Sequence, residues 1–152
     1  MEKRVVIIEL DKERGLMTKK IRVLIADDDP TILENYSLIL ELDRSQSYLV
    51  ETVRQVNDVM GAIKRFRPDV VLLDNHFDDN EAGIDDLLPR ISALYPEISV
   101  VIITAKRGSD SDPILRAMGW SAEGFLDKPV GKDVLRSKVL EVYERKQKEK
   151  IQ

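Results

Sequence analysis

Short runs of β-branched apolar residues alternate along the chain with stretches in which apolar positions recur every three to four residues. The runs are Ile21 to Ala26, Tyr48 to Val53, Asp69 to Leu73, Ile98 to Thr104 and Glu123 to Asp127. Helical periodicity covers Thr31 to Asp43, Val56 to Phe66, Ile84 to Tyr95, Asp110 to Met118 and Lys132 onward. Five β-α units in strict alternation call for a parallel sheet with helices on both faces, the doubly wound α/β class. Val70 to Leu73 and Val100 to Ile103 are apolar without a break, as central strands covered on both sides require. Pro30 and Pro68 stand where a helix begins or a strand is about to start, and Pro96 closes a helix.

In such a sheet, ligands bind outside the carboxyl ends of the strands. The predicted exits lead into Asp27, Asp28 and Asp29, into Asp74, into Thr104 and Ala105, and into Lys128 and Pro129. Carboxylates, a hydroxyl and an ammonium therefore share one rim. Crowded carboxylates raise one another's pKa unless a cation joins them. Oxygen ligands of this kind suit Mg²⁺, which takes one or two carboxylates and substrate phosphate oxygens. Carboxylate, hydroxyl and ammonium beside such an ion are equipped for phosphoryl transfer. The glycines are scattered and no G-x-x-x-x-G-K-[ST] loop occurs, so a bound nucleotide is not the expected donor.

Composition narrows the chemistry further. The 152 residues suffice for one domain. Lys and Arg number 24 against 28 Asp and Glu, a net charge of −4 that disfavours direct nucleic-acid binding. The lack of Cys excludes disulfides, thiolate catalysis and Cys-ligated metals, and fits a reducing cytoplasm. The single His76 excludes sites that need two imidazoles, and a lone His is a poor nitrogen ligand. No apolar stretch near the N-terminus is long enough for a signal peptide or membrane span.

The segments IRVLIADDDPTIL, PDVVLLD, VVIITAK and GFLDKP, in this order, resemble the receiver domain of two-component response regulators, a CheY-like family, over roughly residues 20 to 145. The resemblance implies a flavodoxin-like five-stranded sheet of order 2-1-3-4-5. It implies that Asp74 is the phosphoacceptor, that Asp28 binds Mg²⁺ (or Mn²⁺) directly, and that Asp27 does so directly or through water, with Asp29 beside them. The His76 backbone carbonyl would complete the metal ligands. Lys128 would pair with the phosphoryl oxygens, Thr104 would close onto them ahead of Ala105, and the orientation of Phe125 would follow Thr104. Pro129 would follow a cis peptide bond. The implied partners are a sensor histidine kinase or phosphotransfer protein and a downstream protein target, with no membrane and a homodimer left open. The family usually meets partners at the face near Phe125 and Trp120. The chain would be a single-domain regulator, or a receiver without an attached output domain, that catalyses only its own phosphorylation and dephosphorylation.

Departures from the family pattern cluster after the acceptor. Asp78 stands where a Pro is usual, the Asp74 to Gly83 loop is one residue longer than common, and Asp79, Glu81, Asp85 and Asp86 make it very acidic. His76 and Lys106 fall at variable positions resembling those that tune phosphoryl lifetime. Trp120 reads as packing or as an anchor for a partner. Two other readings stay open. D-x-D-x-T at Asp27, Asp29 and Thr31 resembles the haloacid dehalogenase phosphatases, with Asp27 as nucleophile, and a receiver-like adaptor would need no phosphate at all. A lone Asp29 before Pro30 also reads as a helix cap.

Outside the resemblance, residues 1 to 19 form an extension. Val5 to Leu10 would add a strand at a sheet edge, in cis or from a neighbouring subunit, or the segment is a loose tail. Alternatively Met17 is the natural start, because Glu13, Arg14 and Gly15 can be encoded by a purine-rich ribosome-binding stretch. At the other end, residues 146 to 152 form a charged helix end. Arg145, Lys146, Lys148 and Lys150 there suit a solvated final turn at the negative pole of the helix dipole. A linker or a partner-binding helix is the alternative.

Overall fold

A computed structural model describes residues 8–11, 16–76, 83–105 and 122–151. Strands β3 (Ile21–Ala26), β4 (Tyr48–Val53), β5 (Val70–Asp74), β6 (Ser99–Ala105) and β7 (Gly124–Lys128) form one sheet in the order β4-β3-β5-β6-β7. Every pairing in it is parallel. Counted from β3, this is the expected 2-1-3-4-5 arrangement. Helices α1 (Pro30–Glu41), α2 (Val56–Phe66), α3 (Leu88–Leu94) and α4 (Lys132–Ile151) connect or follow the strands. The expected helix at Asp110 to Met118 lies outside the described residues, as do Asp78, Asp79, Glu81, Lys106 and Trp120.

The pleat sorts the core into two layers, because successive strand residues face opposite sides. Ile21, Val23, Ile25, Val70, Leu72, Val101, Ile103 and Leu126 face α1 and α4. Leu24, Val71, Leu73, Val100 and Ile102 face α2, α3 and the turn before it. That turn, Gly83–Leu87, is a π-helical segment running into α3, where the sequence predicts α-helix throughout. Helix α2 ends without glycine. Arg67 takes the left-handed cap at φ 54°, its N–H bonded to the Ile63 carbonyl, and Pro68 blocks continuation.

Two expectations change. The described residues of the N-terminal segment add no strand to the main sheet. Strands β1 (Ile8–Asp11) and β2 (Leu16–Lys19) pair antiparallel in a separate two-stranded sheet, so each satisfies part of its backbone locally. The charged end of α4 is not wholly solvated. Lys146 donates to Glu123 Oε1 at 2.6 Å and to the Pro96 carbonyl at 3.3 Å, tying the helix to β7 and to the turn after α3. The place of this lysine in a run of charges suggests water. Ser99 is fully buried in β6 and donates to the Val142 carbonyl of α4 at 3.1 Å, a polar cross-link within an apolar layer.

Tyr48 is 6 % exposed, and its hydroxyl is sealed without a hydrogen bond. Burial pushes its pKa well above the ordinary value, with the Asp43 charge adding to the effect. A buried hydroxyl with no partner costs about 1–3 kcal/mol. Tyr48→Phe is therefore expected to raise stability by about 1 kcal/mol in urea titration; a loss of that size would show that the hydroxyl is bonded in solution.

Candidate phosphoacceptor site

The site is built at the carboxyl end of the sheet on the α1/α4 face. Continuing the pleat from Ile25, Leu72 and Leu126 brings Asp27, Asp74 and Lys128 to that one face. Register brings the strand ends together, pairing Ala26 with Leu73, Asp74 with Ile103 and Ala105 with Lys128. The Lys128 ammonium bridges the two acids, 2.9 Å from Asp27 Oδ2 and 3.1 Å from Asp74 Oδ1. Both carboxylates are nearly sealed, 3 % and 4 % exposed, while Lys128 keeps 21 %.

The acids respond to that burial. Desolvation pushes Asp74 up to about 6, the Asp27 charge adds to it, and Lys128 with a backbone hydrogen bond from His76 opposes it. Asp27 is raised as well, by burial first, against the Asp29 backbone hydrogen bond and Lys128. Burial alone would lower Lys128, but its hydrogen bond to Asp27 and the two negative charges outweigh it and the net shift is upward. All three charges are thus held in place by one another.

Asp27, Asp28 and Asp74 each offer an oxygen within 4.8 Å of the others, close enough for one hard cation to touch all three. Three carboxylates facing a single compensating lysine leave the group short of positive charge, so the donor set fits Mg²⁺ or Mn²⁺. Asp29 has a different duty. It is exposed, caps α1 by accepting the Thr31 N–H at 2.9 Å, and gives its own N–H to Asp27 Oδ1 at 2.9 Å. Its side chain fills the capping role read from the sequence.

Thr104 sits on the opposite pleat, in line with Ile102, and is 8 % exposed. Its hydroxyl donates to the Ala105 carbonyl at 3.4 Å. Phe125 lies on that same pleat and packs half-buried against the α2/α3 layer. Lys128–Pro129 is a cis peptide bond. Two groups thus emerge: Asp27, Asp28, Asp74 and Lys128 in one cluster, and Thr104 with Phe125 across the sheet.

The pattern of the response regulator receiver domain matches residues 23–140. The chain belongs to this family. It is 31% identical over 124 residues to TcrX, a probable transcriptional regulatory protein of Mycobacterium tuberculosis, covering 79% of this chain and 49% of that one. The transcriptional regulatory protein CitT of Bacillus subtilis is 29% identical over 127 residues, which is 83% of this receiver and 54% of CitT. The chain thus spans about half the length of these relatives. Among solved structures, a CheY-like receiver domain protein from Methanospirillum hungatei superposes with TM-score 0.76 at 26% identity, covering 86% of this chain and 98% of that one. A receiver domain from Clostridium thermocellum gives 0.73 at 28%, covering 84% and 97%. Two-component signalling is accordingly the setting of this receiver, and no described helix is long and apolar enough to cross a membrane.

Proposed function

We propose that this receiver accepts a phosphoryl group on Asp74 with the help of a divalent cation and passes the signal to a protein partner through a changed surface. The observation that carries this is the buried pair Asp27 and Asp74 joined by Lys128, with Asp28 completing a cation-sized acidic group. Asp27, Asp28 and Asp74 would hold Mg²⁺, with the His76 carbonyl as a further ligand. The ion supplies charge neutralisation for the incoming phosphoryl oxygens.

The chain's own groups do the rest. An Asp74 carboxylate oxygen forms the new bond to phosphorus, while the bond to the donor breaks with its electron pair on the leaving imidazole or acetate. Lys128 has a hydrogen bond to Asp74 already, and turns it to a phosphoryl oxygen. The product is an acyl phosphate, a mixed anhydride open to hydrolysis, so the mark is temporary. The phosphoryl group brings about −1.5 to −2 charge in place of the carboxylate's single charge, so the rim gains up to about one negative charge, carried on three acceptor oxygens. Thr104 then has an anion to approach in place of the Ala105 carbonyl, and Phe125, on the same pleat, follows. A histidine kinase or phosphotransfer protein is the donor that fits, and a protein of the signalling system is the target.

Intact-mass spectrometry after incubation with acetyl phosphate tests this. One labile phosphoryl adduct that needs Mg²⁺ is expected. Steady release of phosphate without an adduct would favour the phosphatase chemistry on Asp27, and neither adduct nor turnover would favour an adaptor.

A further inference from the structure

Asn75 follows the acceptor directly and is fully buried, its amide nitrogen sealed from water. Its backbone N–H donates to the Ile103 carbonyl at 3.0 Å, which carries the β5–β6 ladder one step past the pair of Asp74 with Ile103. The register thereby sets Asn75 beside Thr104. Residues paired in parallel strands project to the same face, and neighbouring strands lie about 5 Å apart. Alternation gives the same face by a separate route. Asp74 turns toward α1 and α4, so Asn75 turns with Leu73 toward α2 and α3, the side that carries Ile102, Thr104 and Phe125.

Thr104 thus stands between two polar neighbours. On β7 it is paired with Asp127, which is exposed; on the β5 side it has Asn75, which is not. The Thr104 hydroxyl is loosely held, because its 3.4 Å to the Ala105 carbonyl is well beyond the distance of about 2.8 Å usual for such a bond. Burying an amide in an apolar layer is costly, and a Leu would fill the same space without that cost. What the amide brings is an N–H donor carried on the strand of the acceptor itself. A hydroxyl that gives its proton to a phosphoryl oxygen still has lone pairs to be filled, and an amide N–H fills one.

We propose that Asn75 is a positioning residue of the switch, its amide N–H donating to Thr104 Oγ once that hydroxyl has turned to the phosphoryl oxygens. The role rests on the phosphoacceptor function proposed above. The long bond to Ala105 is exchanged for a chain of two, Asn75 Nδ2–H to Thr104 Oγ and Thr104 Oγ–H to phosphoryl oxygen. Each bond in such a chain polarises the next and strengthens it. Asn75 forms no bond to phosphorus and holds no cation. It sets how firmly the switched position of Thr104 is kept.

Beryllofluoride with Mg²⁺ is a stable stand-in for the phosphoryl group, and its dissociation constant is read by fluorine NMR. Asn75→Leu is made in the natural chain and in Thr104→Val. In the natural chain it is expected to weaken beryllofluoride binding about fivefold, the worth of one net hydrogen bond. In Thr104→Val it is expected to add nothing, and the affinity for Mg²⁺ alone, followed by backbone amide shifts, is expected to stay as it is. No loss in the natural chain, an equal loss in both backgrounds, or a parallel loss of Mg²⁺ affinity overturns the proposal, the last because it would mean a general disturbance of the rim. If Asn75→Leu does not fold, the side-chain amide protons of Asn75 decide. One of them is expected to move downfield when beryllofluoride binds the natural chain and to stay in place in Thr104→Val; the same behaviour in both overturns it. A natural chain that takes up no beryllofluoride at all overturns the phosphoacceptor function itself, a result distinct from these.

Discussion

Asp74→Asn is expected to abolish labelling by acetyl phosphate completely and, at the same time, to give a fold more stable at pH 7.5 than the natural one. The first effect follows because an amide has no carboxylate oxygen to offer phosphorus. The second follows from burial, which pushes the Asp74 carboxyl up from 3.8 to about 6. Below pH 4 the carboxyl is protonated whether the chain is folded or not. Between pH 4 and 6 the folded protein holds a proton that the unfolded chain has released, so stability falls as pH rises. Above 6 that loss is complete and constant. A two-unit shift corresponds to about 3 kcal/mol. Asn avoids it but deprives Lys128 of one partner, so the net gain at pH 7.5 is expected to be about 1–2 kcal/mol. Urea unfolding from pH 4 to 8 reads this directly: the advantage of Asn should grow between pH 4 and 6 and then level off. A variant less stable than the natural protein at pH 7.5 would mean that Lys128 more than offsets the burial of Asp74. Such a gain on removing the reacting group is what a site strained for function predicts.

Lys128→Ala should act in the opposite direction. Its removal leaves Asp27 and Asp74, 3 % and 4 % exposed, facing one another with no cation between them. Deleting one partner of a buried pair costs about 3–5 kcal/mol, because the remaining charge is uncompensated. Here the remaining charges are two of like sign, so their pKa values rise further. The sign of the pH dependence follows: destabilisation is full at pH 7.5, where both acids would be ionised, and shrinks toward pH 5 as they take up protons. Millimolar Mg²⁺ should restore much of the lost stability by replacing the missing charge, whereas it should not restore the labelling rate. Thermal unfolding of the variant at the two pH values, with and without Mg²⁺, checks all of these. A loss of stability equal at pH 5 and 7.5 would place the role of Lys128 in packing and not in charge.

The site residues differ in how far their types and spacing reveal them. Asp27, Asp74 and Lys128 stand at strand exits, which assigns them to one rim, while their common pleat follows from the packing and the register. Asp29 has two readings, as ligand and as cap, and only the Thr31 hydrogen bond separates them. Lys146 misleads: a charge in a run of charges reads as solvated, and its burial depends on Glu123 and on the Pro96 carbonyl, which are remote in the chain.

By itself the sequence determined the class of fold, the limits of the five parallel strands to within a residue, and the rim to which the chemistry comes. These follow from local rules, since period 2 against 3.6 and the position of a residue at a strand exit are written into consecutive residues. Only the tertiary structure decided how Lys128 divides itself between two acids, how far burial lifts Asp74, and that residues 8–11 and 16–19 pair with each other and not with the sheet. Each of these is a matter of distance or desolvation between segments far apart in the chain. Such quantities exist only once the layers have closed on one another.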